Sequence, residues 1–233
     1  MSEPAVVCEN LRFAYVKDRP VLDIERLEIA RGEKVFLFGP SGSGKTTLLG
    51  ILSGILTQFE GNVNVLGREV AKLSGSDRDA FRGAHLGYIF QLFNLIPYLT
   101  VVENITLPCR LHAERRKALG GVSLDAAAKA AAAKLGISHL LSQKVTNLSV
   151  GQQQRVAAAR ALVGAPELII ADEPTSSLDY DHREKFLELL FDSCKEAKAT
   201  ILFVSHDRSL MHLFDRQLDL ATINRAQTVG AAE

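Results

Sequence analysis

The run Gly39-Pro40-Ser41-Gly42-Ser43-Gly44-Lys45-Thr46 fits the pattern G-x-x-x-x-G-K-[ST]. It stands between the apolar Val35-Phe36-Leu37-Phe38 and the helix-forming Thr47-Leu48-Leu49-Gly50-Ile51-Leu52. A strand that turns through glycines directly into a helix presents the helix's unpaired N–H groups and its positive end to whatever occupies the turn. Gly39, Gly42 and Gly44 permit backbone conformations that a side chain would obstruct, so successive N–H groups converge into an anion-binding nest. Lys45 is placed to reach β- and γ-phosphates, and the Thr46 hydroxyl to ligate a Mg²⁺ ion that bridges them. This setting commits the chain to an α/β order with a phosphate-bearing ligand at a strand's carboxyl end.

The rest of the chain supplies that order. Val6 to Tyr15 and Val21 to Ile29 alternate around Lys17-Asp18-Arg19-Pro20, predicting an antiparallel hairpin, and Gly61 to Leu66 predicts another short strand closed by Gly67. Leu86-Gly87-Tyr88-Ile89-Phe90 reads as a buried strand ending at Gln91, after which Pro97 forbids a long helix. Val101 to Ala118 and Leu124 to Leu135 carry helical periodicity, with Ser123 as N-cap, Asp125 in the first turn and Gly136 at the stop. Ser149 caps a further helix running to about Gly164. The apolar run Leu168-Ile169-Ile170-Ala171-Asp172 is what a parallel strand buried on both faces requires. A helix over Tyr180 to Ala197, a strand over Thr200 to Val204 and a last strand around Leu218 to Ile223 follow. The expected architecture is a single domain with a mainly parallel sheet, an antiparallel β part near the N-terminus and a helical insertion. Residues 1–90 and 146–233 form its core and residues 91–145 its helical part.

Composition narrows the function classes. Lys plus Arg and Asp plus Glu each number 27, so no basic excess points to a nucleic-acid surface, and no nucleic-acid partner is expected. Cys8, Cys109 and Cys194 are scattered without a C-x-x-C pair, which fits a reducing compartment. Met1-Ser2-Glu3-Pro4 does not open a secretory signal, and no stretch approaches 18 uninterrupted apolar residues. His85, His112, His139, His182 and His212 show no metal-ligand spacing.

Asp172 and Glu173 end the apolar strand together. The first can hold a hydrated Mg²⁺ and the second can polarise an attacking water, although adjacent carboxylates at a strand end also begin ordinary solvated loops. Leu148-Ser149-Val150-Gly151-Gln152-Gln153-Gln154-Arg155 adds a helix N-terminus suited to a phosphate.

With the phosphate loop, Gln91, LSVGQQQR, LIIADEPTSSLD and VSHD in this order, nearly the whole chain resembles the ATP-binding subunit of ABC transporters. The resemblance implies ATP and Mg²⁺ as cofactors and assigns Gly39 to Thr47, including Pro40, Ser41, Ser43 and Thr47, to ATP binding, with Tyr15 stacking on adenine. It implies that Gln91 touches Mg²⁺ and the attacking water, that Glu173 activates that water, and that His206 hydrogen-bonds the γ-phosphate. Ser149, Val150, Gly151 and Gln152 act in trans on the nucleotide of a second subunit, and Asp179 communicates across the homodimer. The family pattern has glycine where this chain has Val150, a departure that crowds the contact.

The stretch Phe90-Gln91-Leu92-Phe93-Asn94-Leu95-Ile96-Pro97-Tyr98-Leu99-Thr100-Val101-Val102-Glu103-Asn104 with Leu107-Pro108 is similar to the lipoprotein-releasing and macrolide-exporting branch. That branch implies an integral membrane permease contacted near Gln91 to Pro108, a periplasmic adaptor beyond it, and a peripheral position on the cytoplasmic side of the inner membrane. Export, lipoprotein extraction or envelope mechanotransmission is expected. An importer ATPase is the alternative, because the chain ends soon after Ile223 as amino-acid import ATPases do. A non-transport ATPase acting on ribosomes or DNA, and a binding module without hydrolysis, are further readings that zero net charge and the intact Lys45, Asp172, Glu173 and His206 disfavour.

Overall fold

The computed structural model describes residues 3–176 and 180–226, the side chains of 180–182 excepted. In chain order the elements are β1 (Val6–Val16), β2 (Arg19–Ile29), β3 (Lys34–Phe38), α1 (Lys45–Leu52), β4 (Glu60–Val65), β5 (Arg68–Glu69), α2 (Gly75–His85), β6 (Leu86–Ile89) and α3 (Val101–Leu111). They continue with α4 (Ala113–Lys117), α5 (Leu124–Lys134), α6 (Val150–Leu162), β7 (Leu168–Asp172), α7 (Tyr180–Ala197), β8 (Thr200–Val204), β9 (Arg216–Asp219) and α8 (Leu220–Ile223).

The strands form two sheets. An antiparallel sheet has the order β2-β1-β4-β5, and a five-stranded sheet has the order β6-β7-β8-β3-β9, parallel throughout. Pro20 lies inside β2, where the β1–β2 register shifts on both sides of the Ala14–Pro20 pair; an edge strand tolerates such an irregularity. The parallel strands are apolar on both faces and divide the core by their period of two. Phe36, Ile169, Ala171, Ile201 and Phe203 pack with α3, α5, α6 and α7, whereas Val35, Leu37, Ile170, Leu202 and Val204 pack with α1 and the antiparallel sheet. Strand order then sets the carboxyl ends side by side, which is where the chemistry lies.

Two expectations are corrected, and one helix is present that the sequence pattern did not predict. Helical periodicity across Val101 to Ala118 does not give one helix, since His112 adopts φ −123° and ψ 115° and separates α3 from α4. The strand expected over Leu218 to Ile223 is β9 to Asp219 and then α8, because the Asp219 carboxylate accepts the Ala221 N–H at 3.0 Å and starts a helical turn. The sequence reading also passed over α2, whose Ser74 cap accepts from the Asp77 amide but whose residues bury only Phe81.

Candidate active site

A cleft of about 500 Å³ opens at the carboxyl ends of the parallel strands, lined by Tyr15, Val21, the phosphate loop, Gln91, Asp172, Glu173 and His206. Register explains the convergence. Asp172 pairs with Val204, Leu37 pairs with the same Val204, and the Ser205 N–H donates to Leu37 O at 3.2 Å. The phosphate loop after β3, the carboxylates after β7 and the histidine after β8 are therefore neighbours although far apart in sequence.

Helix α1 begins at Gly44 with φ 98°, a left-handed conformation natural to glycine. A Cβ there would come within 2.7 Å of Leu22. No side chain caps this helix and its first turn holds no acid, so its N–H groups face the cleft without a competing carboxylate. Gly42 has φ 75°, and a Cβ at 42 would meet nothing within 4 Å, which leaves the space above the loop open. Lys45 folds back to donate to Gly39 O at 2.8 Å and Pro40 O at 2.9 Å, partners that an entering phosphate can replace. Thr46 is exposed and lines the cleft, while the buried Thr47 shares a 3.2 Å hydrogen bond with the Tyr15 hydroxyl. Tyr15 itself is 63% exposed, held edge-on by Phe13 at 4.8 Å. Its free face can receive a planar ring.

Burial and the neighbouring Glu173 charge push the Asp172 carboxyl above its ordinary range, against an opposing pull from Lys45. Ionised Asp172 is thus held in a site with surplus negative charge, the condition a divalent cation relieves. The donor set of a hydroxyl, an amide oxygen and a carboxylate (Thr46, Gln91 and Asp172) suits Mg²⁺. Glu173 takes φ 47°, and this left-handed conformation costs a non-glycine residue ~1 kcal/mol or more. It is secured by the Glu173 N–H donating to Val204 O at 2.9 Å, and the side chain meets His206 Nδ1 at 2.8 Å. His206 is 72% exposed and Glu173 only 14%, so the ring stands over a sheltered carboxylate.

The LSVGQQQR segment is not among the residues lining this cleft. Ser149 and Val150 are exposed at the start of α6, where the Ser149 hydroxyl accepts the Gln152 N–H and Gln152 Oε1 accepts the Ser149 N–H at 2.9 Å. Asp179 lies outside the described residues.

Two connections had no sequence signal. Arg160, buried on α6 with its guanidinium lowered to about 10 by burial, donates to Phe93 O and Asn94 O at 2.6 Å each. Phe93 and Asn94 both have positive φ, so the guanidinium clamps a strained turn just after Gln91. Gln154, also buried on α6, donates to Pro174 O at 2.8 Å, next to Glu173. A second hollow of about 530 Å³ lies between α2, β6, α3 and α4, with Tyr88, Phe90, Leu107, Pro108 and Leu111 in its wall.

A phosphate loop, a strand-terminal acid pair and a histidine on one parallel sheet define a nucleotide hydrolase. The ABC transporter family model matches residues 22–176, and the chain belongs to that family. It is 40% identical over 224 residues to an uncharacterized ABC transporter ATP-binding protein of Mycobacterium tuberculosis, covering 94% of this chain and 87% of the relative. It is 37% identical over 223 residues to the lipoprotein-releasing system ATP-binding protein LolD of Novosphingobium aromaticivorans, with 94% and 97% covered. The dimeric structure of a post-hydrolysis state of the ATP-binding cassette MJ0796, bound to ADP and Pi, superposes with a TM-score of 0.80 at 33% identity, over 92% of this chain and 93% of that one. The chain is accordingly an ATP-hydrolysing cassette of the ABC type.

Proposed function

We propose that the chain is the ATP-driven subunit of a transporter whose membrane permease is a separate protein, working as a homodimer that closes on two ATP molecules. The observation that carries this reading is the cleft that gathers Lys45, Gln91, Asp172, Glu173 and His206, with the Ser149 helix end exposed outside it. Lys45 and the α1 N–H groups bind the phosphates, and Tyr15 offers its face to adenine. Thr46, Gln91 and Asp172 would hold a Mg²⁺ ion, whose charge would neutralise the phosphate oxygens. Glu173 accepts a proton from the water that attacks the γ-phosphorus. The bond from that phosphorus to the bridging oxygen breaks, and ADP keeps the electron pair. His206 steadies Glu173 through Nδ1 and has its other ring nitrogen for the γ-phosphate. Ser149, Val150, Gly151 and Gln152 close on the partner's nucleotide.

The permease seats in the hollow walled by Phe90, Leu107 and Leu111 beside the Gln91 loop. Leu92, Tyr98 and Leu111 are 83%, 76% and 68% exposed, apolar surface that a partner would cover. Among the described residues no helix is long and apolar enough to cross a membrane. The proposed attachment is peripheral, through that partner on the cytoplasmic face. Export, extraction or mechanical signalling across the envelope fits the likeness to LolD better than uptake.

The test is isolation of the tagged chain from detergent-solubilised membranes of its own cell, where an integral membrane subunit should accompany it. Tyr98→Glu combined with Leu111→Glu should release that subunit and keep ATP binding. A doubly substituted chain that still holds its membrane partner fully would overturn the assigned surface.

A further inference from the structure

We propose that Asn224, near the far end of the described chain and outside the segment matched by the family model, is a positioning residue that orients the phosphate loop. Its side chain lies at the end of α8, 9% exposed, and every hydrogen-bonding position is used. Nδ2 donates to Val21 O at 2.9 Å and Ser43 O at 3.1 Å, while Oδ1 accepts from Asp23 N at 2.8 Å and Ala226 N at 3.1 Å. Two donors and two acceptors surround it, so the amide has one orientation and no isosteric residue satisfies all four. The Arg225 N–H donates to Asp23 O at 2.7 Å and the Arg225 side chain pairs with Glu25, which ties the same segment to β2.

The Ser43 contact bears on the nest. The Ser43–Gly44 peptide is trans, so fixing the Ser43 carbonyl toward Asn224 points the Gly44 N–H the opposite way. Gly44 lines the cleft and starts α1, so Asn224 sets the aim of a donor meant for phosphate. Val21, the other carbonyl it holds, lines the same cleft. Asn224 touches no substrate and acts through these two peptides. The inference rests on the cleft being the nucleotide site.

The test measures ADP affinity by calorimetry and ATP turnover for Asn224→Asp and Asn224→Ala, with Lys45→Ala as a control on the cleft. Aspartate keeps the shape but turns an acceptor toward Val21 O and Ser43 O, and alanine removes both donors. Each should raise the ADP Kd and the ATP KM about tenfold, the effect of one misaimed hydrogen bond, with kcat within about twofold. A folded variant with unchanged ADP affinity and only a lower Tm would show that Asn224 merely anchors the chain and would overturn the proposal. Lys45→Ala with full ADP affinity would overturn the cleft and the inference together, whereas lost affinity in Lys45→Ala beside normal affinity at 224 would sink the inference alone. If neither variant folds, hydrogen exchange on the wild-type protein decides. Added ADP should slow the amides of Gly44, Asp23 and Ala226 together, and slowing at Gly44 with none at Asp23 or Ala226 would contradict the link.

Discussion

Helices α1 and α6 both start beside glycine and both present a positive end, yet they treat their first N–H groups in opposite ways. Helix α1 is uncapped and opens into the cleft of its own chain. At the start of α6, Ser149 and Gln152 satisfy each other in a capping box, and the helix end is exposed away from that cleft. A capped terminus is stable without a ligand, whereas an uncapped one is completed by an anion. The contrast teaches that the start of α1 lies open to an anion in its own chain while the start of α6 is satisfied without one; under the proposed function, the latter is the half-site that meets a nucleotide brought by another copy.

The largest effect should come from Glu173→Gln, which leaves the α1 cradle intact and removes the proton acceptor. Phosphate release should fall about a thousandfold while ATP affinity stays near wild type. Turnover close to normal would take Glu173 out of its role. Ser149→Arg should lower the ATPase rate of the assembled dimer about a hundredfold by filling the space meant for the partner's γ-phosphate. Losing the cap costs only ~1 kcal/mol, too little to unfold the chain, so ATP binding by the single chain should persist. An active Ser149→Arg protein would erase the difference between the two helix ends. Val150→Gly should change the rate less than about tenfold, or ~1.4 kcal/mol in barrier, because Val150 is 49% exposed and is absent from the cleft wall. A larger loss, measured in the same assay, would show that the valine packs against the partner.

The cleft was legible because its parts follow apolar strands that announce themselves. The run from Leu168 to Ala171 is wholly buried, and the acids and the histidine sit at the ends of β7 and β8 as read. Helix α2 escaped because Gly75–His85 is mostly polar and buries only Phe81, so no apolar run announces it. The break at His112 escaped because the apolar spacing runs through it, and α8 because Leu220, Ala221 and Ile223 look equally like strand until Asp219 is seen to cap them. Arg160 and Asn224 left no local trace at all. The first holds carbonyls 66 and 67 residues away and the second carbonyls 181 and 203 residues away, and backbone carbonyls carry no sequence signature.

Sedimentation of the Glu173→Gln protein tests the central claim most directly, since ATP is then bound without being consumed. With saturating ATP and Mg²⁺ the open end of α1 in one copy should close against the Ser149 end of α6 in another, giving a species of twice the monomer mass that reverts to monomer with ADP. A protein that stays monomeric in ATP, even with its membrane subunit supplied, would contradict the shared nucleotide site.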